Sequence, residues 1–267
     1  MRLGHRLFAQ LVAWTFRMLP FGVAVLASKQ LLSAQGFGVG GSISSSGEKR
    51  VFRLVKTNAP ILFDVGGHLG EYTEAFLNAF PSGQSYVFEP SANHVDMLRQ
   101  NLRGRPNVHI FPVGLGDKPG TLPLYKDRNI SGLASLSQRR LEHFDIKMDK
   151  VEIVTISTVD MITEEMSLPS IDLLKIDVEG HELSVLFGAT KAMARGLIKL
   201  VQFEFGGCNL DTRTNLQDFF YFFKEFNFVI GLVRPRGRIQ SLEKYDEFYE
   251  QYRTTNFVAA PKSALFS

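Results

Sequence analysis

The sequence of 267 residues contains one cysteine, one tryptophan and no acidic residue before Glu48. A single thiol, Cys208, excludes an intrachain disulfide, a multi-cysteine zinc site and a C-x-x-C redox pair. The expected location is therefore a reducing compartment, the cytoplasm. Long apolar runs are missing as well. The stretch from Met18 to Ala27 is bounded by Arg17 and Lys29 and covers about half of a bilayer core, too little for a transmembrane helix. A signal peptide fits poorly, because its basic region would extend as far as Arg17. No G-x-x-x-x-G-K-[ST] is present, which removes a P-loop. The six histidines show no paired ligand spacing, so no metal site is expected, although carboxylates alone can hold magnesium. What remains is ordinary globular composition, 45% hydrophobic and 21% charged, with 23 phenylalanines for an aromatic core.

The formal charge of +3 is unevenly spread. Residues 1–47 carry Arg2, Arg6, Arg17 and Lys29 unopposed, whereas the rest is almost balanced. The basic character belongs to the N-terminal segment, so nucleic acid is not an expected partner. Leu7, Phe8, Leu11, Val12, Trp14, Met18 and Leu19 recur at helical spacing, giving an amphipathic helix over 5–19. Pro20 can open a second helix over 23–32. These helices either pack on the body or on a second subunit, the commoner fate of an apolar stripe, or bind an anionic membrane surface through residues 1–32. Gly36 to Gly47 reads as a flexible linker or a shaped loop. Residues 1–50 form this extension and 51–267 the catalytic domain.

From residue 51 strand and helix alternate. Apolar strands are expected at 61–65, 85–89, 108–111, 171–178 and 198–205, with closing strands at 228–233 and 257–260. Helices are expected over 71–79, 93–102, 182–194 and 216–226. This is a doubly wound, mostly parallel α/β sheet of Rossmann-like type with an antiparallel last strand, whose ligands bind beyond the carboxyl ends of the strands. Residues 118–158 interrupt the rhythm with two strands and a polar stretch on the ligand side, either a substrate lid or a decorative hairpin.

The first strand ends in D-V-G-G-H-L-G-E-Y-T, residues 64–73. Gly66, Gly67 and Gly70 bring backbone close to a ligand, and Glu89 ends the second strand where an acid accepts hydrogen bonds from two ribose hydroxyls. A dinucleotide fingerprint would need glycine at 68 and 71, which hold His68 and Glu71. An acid in the first helical turn repels a pyrophosphate. It suits S-adenosyl-L-methionine, which has an ammonium, a sulfonium and a ribose but no phosphate.

D-V-G-G-H-L-G-E-Y-T, F-E-P-S (88–91), G-L-G-D (114–117), S-G-L-A-S-L (131–136) and I-D-L-L-K-I-D-V-E-G-H-E-L (171–183) occur in the order seen in FkbM-type methyltransferases, and the sequence resembles that family over about residues 60–207. The resemblance implies O-methyl transfer from S-adenosyl-L-methionine to a hydroxyl of a sugar, glycan or natural product. It implies a cofactor site built from Asp64, Gly66, Gly67, His68, Gly70, Tyr72, Thr73, Glu89, Pro90, Gly114, Leu115 and Asp177. The family more often has Ala-Asn at 67–68 and Ala at 114. Base N-methylation is not expected, since no N/D-P-P-[YF] occurs. A nicotinamide-dependent oxidoreductase and a catalytically silent nucleoside-binding module are the alternatives from other classes.

A neutral hydroxyl must lose a proton, which calls for a general base. Lys175 and Asp177 share a strand face, with Glu179, His181 and Glu182 at the following turn. His181 near a helix N-terminus is kept neutral and is the first candidate base, unless it is a polar surface group beside acids that complement the helix. Lys175 in an apolar strand needs a carboxylate partner. Glu204 is the second candidate. It shares a face with Gln202 in a strand that should be apolar on both sides, unless it makes a structural hydrogen bond.

Overall fold

The computed structural model describes residues 2–41, 43, 46–235 and 239–265. Ser42, Ser44 and Ser45 of the expected linker lie outside them. Two helices come first, α1 (Arg2–Arg17) and α2 (Phe21–Gln35). A 3-10 helix (Glu48–Leu54) leads into β1 (Ile61–Val65), α3 (Glu71–Ala79), β2 (Gln84–Phe88), α4 (Ala92–Asn101) and β3 (Val108–Phe111). Next follow β4 (Gly114–Leu115), β5 (Gly120–Lys126), β6 (Lys150–Ser157), α5 (Val159–Glu165), β7 (Leu173–Ile176), α6 (Glu182–Phe187) and α7 (Thr190–Ala194). The chain closes with β8 (Val201–Phe205), α8 (Cys208–Thr212), α9 (Leu216–Glu225), β9 (Phe228–Leu232), β10 (Gln240–Leu242), β11 (Thr255–Pro261) and α10 (Lys262–Leu265).

Eight strands form one sheet in the order β10-β9-β11-β8-β7-β1-β2-β3. The pairs of β1 with β2 and β7, of β2 with β3 and of β7 with β8 are parallel. The late strand β11 slots antiparallel between β8 and β9. The expected antiparallel last strand is thus interior to the sheet, not at its edge. Chain order reverses between β1 and β7, and a crevice opens where strands lead away in opposite directions.

Period-two alternation decides which residues meet there. On one face Leu62, Leu173 and Leu200 join the core beneath α3 and the 3-10 helix. Two residues further along, the same face turns polar. Register sets Asp64 beside Lys175 and Lys175 beside Gln202. The other face carries Phe63, Val65, Phe203 and Phe205, covered by α9, whose Leu216, Phe219, Phe222 and Phe223 are buried at helical spacing. The Phe203 and Phe219 rings stack at 4.7 Å. Asn215 and Asp218 close the helix start with a capping box.

Two expectations change, and one open alternative is decided. The helix expected over 182–194 is two, α6 and α7, broken at Gly188. A Cβ at Gly188 would lie 2.0 Å from the Gly116 carbonyl oxygen, so close packing there requires glycine. Both Asp160 carboxylate oxygens accept backbone N–H bonds, from Lys191 and Ala192, at the start of the second helix. Second, the Gly-rich stretch is a shaped strap over its described residues. Phe37, Ser46 and Glu48 are buried, and Gly40 donates its N–H to the Thr254 carbonyl. Third, α1 does not bury its apolar stripe on the body, and Leu7, Phe8, Leu11 and Trp14 stand exposed, although Leu32 near the end of α2 packs against the core.

The inserted segment makes a second sheet, β4-β6-β5, whose inner residues Leu124, Val154 and Ile156 pack against Ala134 and Leu136.

The turn after β1 crosses directly over the end of β7. Gly66 has φ of 81°, and a Cβ there would sit 1.8 Å from the Asp177 carbonyl oxygen. Gly66→Ala is expected to destabilise the protein by about 2–4 kcal/mol, from the left-handed backbone and the overlap together. Urea unfolding of the purified variant measures this.

Candidate active site

A cavity of about 690 Å³ opens at the carboxyl ends of β1, β7 and β8. Lys175 of the polar row just described reaches its floor, and the rest of the row lies beneath. The Lys175 ammonium lies 3.5 Å from Asp64 and 3.3 Å from Asp177. Burial would lower the Lys175 pKa, but Asp177, Asp64 and Glu48 together raise it, so the ammonium stays charged. The carboxylate partner expected for Lys175 is thus double. Beneath it Tyr72 donates its hydroxyl to Gln202 at 2.7 Å, and Gln202 donates to Glu48. Glu48 also accepts from Ser46 and from Asn256, 208 positions away. Asp64 is fully buried and accepts from Thr73 at 2.7 Å. Neither Asp64 nor Thr73 reaches the cavity; they hold the floor in place.

The wall on the β2 side is built around Glu89. One oxygen accepts the Ser91 N–H and pairs with His94 Nδ1; the other accepts the His68 N–H at 3.0 Å. His94 Nε2 accepts the Ser131 N–H, which fixes the proton on Nδ1. Glu89, His94 and the inserted segment therefore form one connected unit. His68 has φ of 46° and its ring lines the cavity, edge-on to His94 at 4.7 Å. Burial, followed by the neighbouring His94, lowers its pKa. Pro90, Gly114 and Leu115 complete this wall.

The glycines serve the protein before they serve any ligand. A Cβ at Gly67 would be 2.2 Å from Val87, one at Gly70 would be 3.0 Å from Leu102, and one at Gly114 would be 2.8 Å from Ile156. Gly70 itself does not line the cavity. Of the three loop glycines expected to meet a ligand, Gly66 and Gly67 line the cavity, whereas Gly70 lets the loop settle on its neighbours.

Opposite stand the acids. Asp177, Glu179 and Glu204 bring carboxylate oxygens within 4.8 Å of one another, a grouping able to hold a cation, where no metal was expected. Two have partners. Asp177 faces Lys175, and Glu179 binds Arg139 of the inserted segment at 2.5 Å. Burial raises the Glu179 pKa to about 8 against the pull of Arg139. Glu204 is 7% exposed and takes no side-chain hydrogen bond among the described residues. Burial first, then Asp177 and Glu179, raises its pKa well above the ordinary carboxylate value. No structural hydrogen bond of the expected kind occupies it.

His181 is not on the cavity wall; its Nε2 lies 3.0 Å from Ser137 Oγ. Burial lowers its pKa, while Asp117 works in the opposite sense. The neutral form is favoured as expected, but by burial rather than by the helix. Glu182 acts as a brace. One of its oxygens accepts the N–H groups of Val178 and Gly180, and the other pairs with Asn209. This brace holds the 177–180 turn, where Glu179 has φ of 55° and Gly180 of 107°.

The inserted segment lines the cavity with Ser131, Gly132, Leu133 and Arg139. The strap contributes Gly40, Gly41 and Ile43, and Glu48 lies at its end. Sequence reasoning missed Glu48 and His94. A signal for Glu48 existed, since it is the first acid after a long acid-free stretch.

Residues 64–232 match the family model described as the methyltransferase FkbM domain. The 2-O-methyltransferase NoeI of Sinorhizobium fredii is 24% identical over 156 residues, which cover 55% of this chain and 64% of that protein. The hexuronic acid methyltransferase AglP of Haloferax volcanii is 30% identical over 167 residues, covering 60% and 64% respectively. The chain spans just under two thirds of the length of these curated relatives. Among solved structures, methyltransferase FkbM from Methylobacillus flagellatus overlays with a TM-score of 0.47 at 15% identity, over 75% of this chain and 44% of that one. The family match runs from Asp64 through the glycine turn, Glu89, the inserted segment and the acids of β7 and β8, and this chain belongs to the FkbM methyltransferase family.

Proposed function

We propose that the protein is an O-methyltransferase that uses S-adenosyl-L-methionine to methylate a hydroxyl of a sugar or glycan. The observation that carries this reading is Glu204, a buried carboxylate on the cavity wall with no hydrogen-bond partner among the described side chains and a raised pKa. The relatives named for methylation of sugar oxygens and of hexuronic acid support the acceptor class.

The cavity fits the cofactor's chemistry. Acids (Glu48, Glu71, Glu89, Asp177, Glu179 and Glu204) outnumber bases (Arg128, Arg139 and Lys175) along the cavity lining, which suits a cationic ligand. One Glu89 oxygen accepts a single N–H and keeps capacity for a ribose hydroxyl. Glu71 on the same wall disfavours the pyrophosphate of a nicotinamide cofactor. When bound, the cofactor supplies a methyl group on a sulfonium, open to in-line displacement by an oxygen.

The chain's own residues then position and deprotonate. Lys175 pairs with Asp177 and fixes it on the wall. Arg139 ties Glu179 to the inserted segment, which holds the acceptor side of the cavity in place. Glu204 takes the proton of the acceptor hydroxyl as the new C–O bond forms, and releases it to solvent afterwards. Its raised pKa makes it a stronger base than an exposed carboxylate. His181, engaged with Ser137, is a positioning residue for the turn.

Glu204→Gln is expected to lower turnover by about 10²–10⁴-fold, with affinity for S-adenosylhomocysteine within about threefold of wild type by calorimetry. His181→Ala should lose less than about tenfold, since geometry rather than proton transfer is touched. Equal losses in the two variants would return His181 to the role of base. Turnover of wild type should rise with pH as Glu204 ionises, and the glutamine variant should lack that limb.

The same group sets a stability slope. Its pKa in the folded state lies above the unfolded value, so the native state holds the proton longer and stability falls as pH rises between the two. Glu204→Gln removes this penalty and should gain about 1–3 kcal/mol at alkaline pH, measured by denaturant unfolding.

Glu89→Ala leaves the N–H groups of His68 and Ser91 unpaired as well as removing the ribose acceptor. It should weaken S-adenosylhomocysteine roughly 10–100-fold in the same titration. Unchanged affinity would break the cofactor assignment.

A further inference from the structure

The N-terminal helices carry an apolar surface that this chain leaves uncovered. On α1 and the residue that follows it, Leu7, Phe8, Leu11, Trp14 and Met18 are between 61% and 70% exposed. On α2 no residue is buried, and Phe21, Leu26 and Leu31 stand out in the same way. Contiguous exposed apolar surface of this kind marks a contact with another body. The first helix is strongly amphipathic and the second evenly apolar, and among the described residues no helix is long and apolar enough to cross a membrane.

Charge identifies the other body. Arg2, Arg6, Arg17 and Lys29 are the only charged side chains before Glu48 apart from any protonated His5. Helical spacing places Arg17 on the flank of the stripe formed by Leu7, Leu11 and Met18. Were the helices of two copies to meet, these cations would face their own kind without an acid to relieve them. An anionic phospholipid surface offers both what the stripe and what the cations need: acyl chains below and phosphate and carboxylate groups at their level. Trp14 belongs where such a surface meets water.

The helices are also firmly joined to the body. Gly36 ends α2 in a left-handed cap with φ of 112°, donating its N–H to Ser33. Phe37 then enters the core, edge-on to Phe248 at 5.9 Å and stacked on Tyr249 at 6.5 Å. A few residues later, Gly40 and Gly41 line the cavity. We infer that α1 and α2 form an anchor that lies in the plane of an anionic membrane and seats the enzyme on it.

Trp14 is the single tryptophan of the chain, so it reports on the anchor alone. Full-length protein is mixed with vesicles of phosphatidylcholine, with or without about 30% phosphatidylserine, and followed by tryptophan emission and co-sedimentation. The expected result is a blue shift and at least about tenfold stronger partition onto the anionic vesicles, weakened at high salt. Arg17→Glu should reduce partition about fivefold or more. Leu11→Glu should abolish it while the far-UV spectrum and unfolding transition of the body stay those of wild type. Equal partition onto neutral and anionic vesicles overturns the inference, as does no partition at all. So does an emission already blue without lipid in a protein that sediments as a dimer, because a second copy then covers the stripe.

Discussion

The ammonium of Lys175 is the constraint on which the site depends. It stands in a sheet strand that is otherwise apolar, and its charge survives burial because carboxylates from β1, the end of β7 and the 3-10 helix converge on it. Each partner is in turn fixed by other elements, Asp64 by Thr73 of α3 and Glu48 by Gln202 and Asn256 of the sheet. Removing a central charge from such a group strands the others, which costs far more than an exposed pair returns. The polar floor therefore holds β1, β7, β8, β11, α3 and the 3-10 helix together just where the cavity begins.

Strain and like charge gather above this floor. His68 and Glu179 adopt left-handed backbone although neither is glycine, one in each of the turns that face the cavity. Glu182 holds the second turn with one carboxylate oxygen and pairs with Asn209 through the other, and Glu204 sits among other acids. A chain selected for stability alone would neutralise Glu204 or replace it with an apolar residue. Its presence in a strand that also carries Val201, Phe203 and Phe205 is a local conflict of the kind that sites of chemistry create.

Much of this was legible in the sequence because burial leaves a one-dimensional trace. Apolar runs located β1, β2, β3, β7 and β8 within a few residues, and the exceptions inside them, Lys175 and Glu204, located the site. Pairings between distant residues leave no such trace. Glu48 meets Asn256 only because β11 returns to lie beside β8, and His94 becomes part of the Glu89 wall only through the inserted Ser131. The break between α6 and α7 was hidden for a similar reason: Gly188 is needed by the backbone of Gly116, not by its own helix. His181 shows the converse case, a residue whose chemistry suits proton transfer but whose side chain lies off the cavity wall beside Ser137.

The position of β11 bears on how the protein is made. Strands β8 and β9 are separated by the last strand of the sheet, and the strap at Gly38 bonds to Thr255, 217 residues later. While the polypeptide emerges from the ribosome, the sheet has a gap in its middle with two unpaired apolar edges, and it stays open until β11 has been made. Contacts of such long sequence separation form slowly, and open strand edges invite association with other nascent chains. Closure of the sheet is consequently a late event, and truncation anywhere before residue 255 leaves it open.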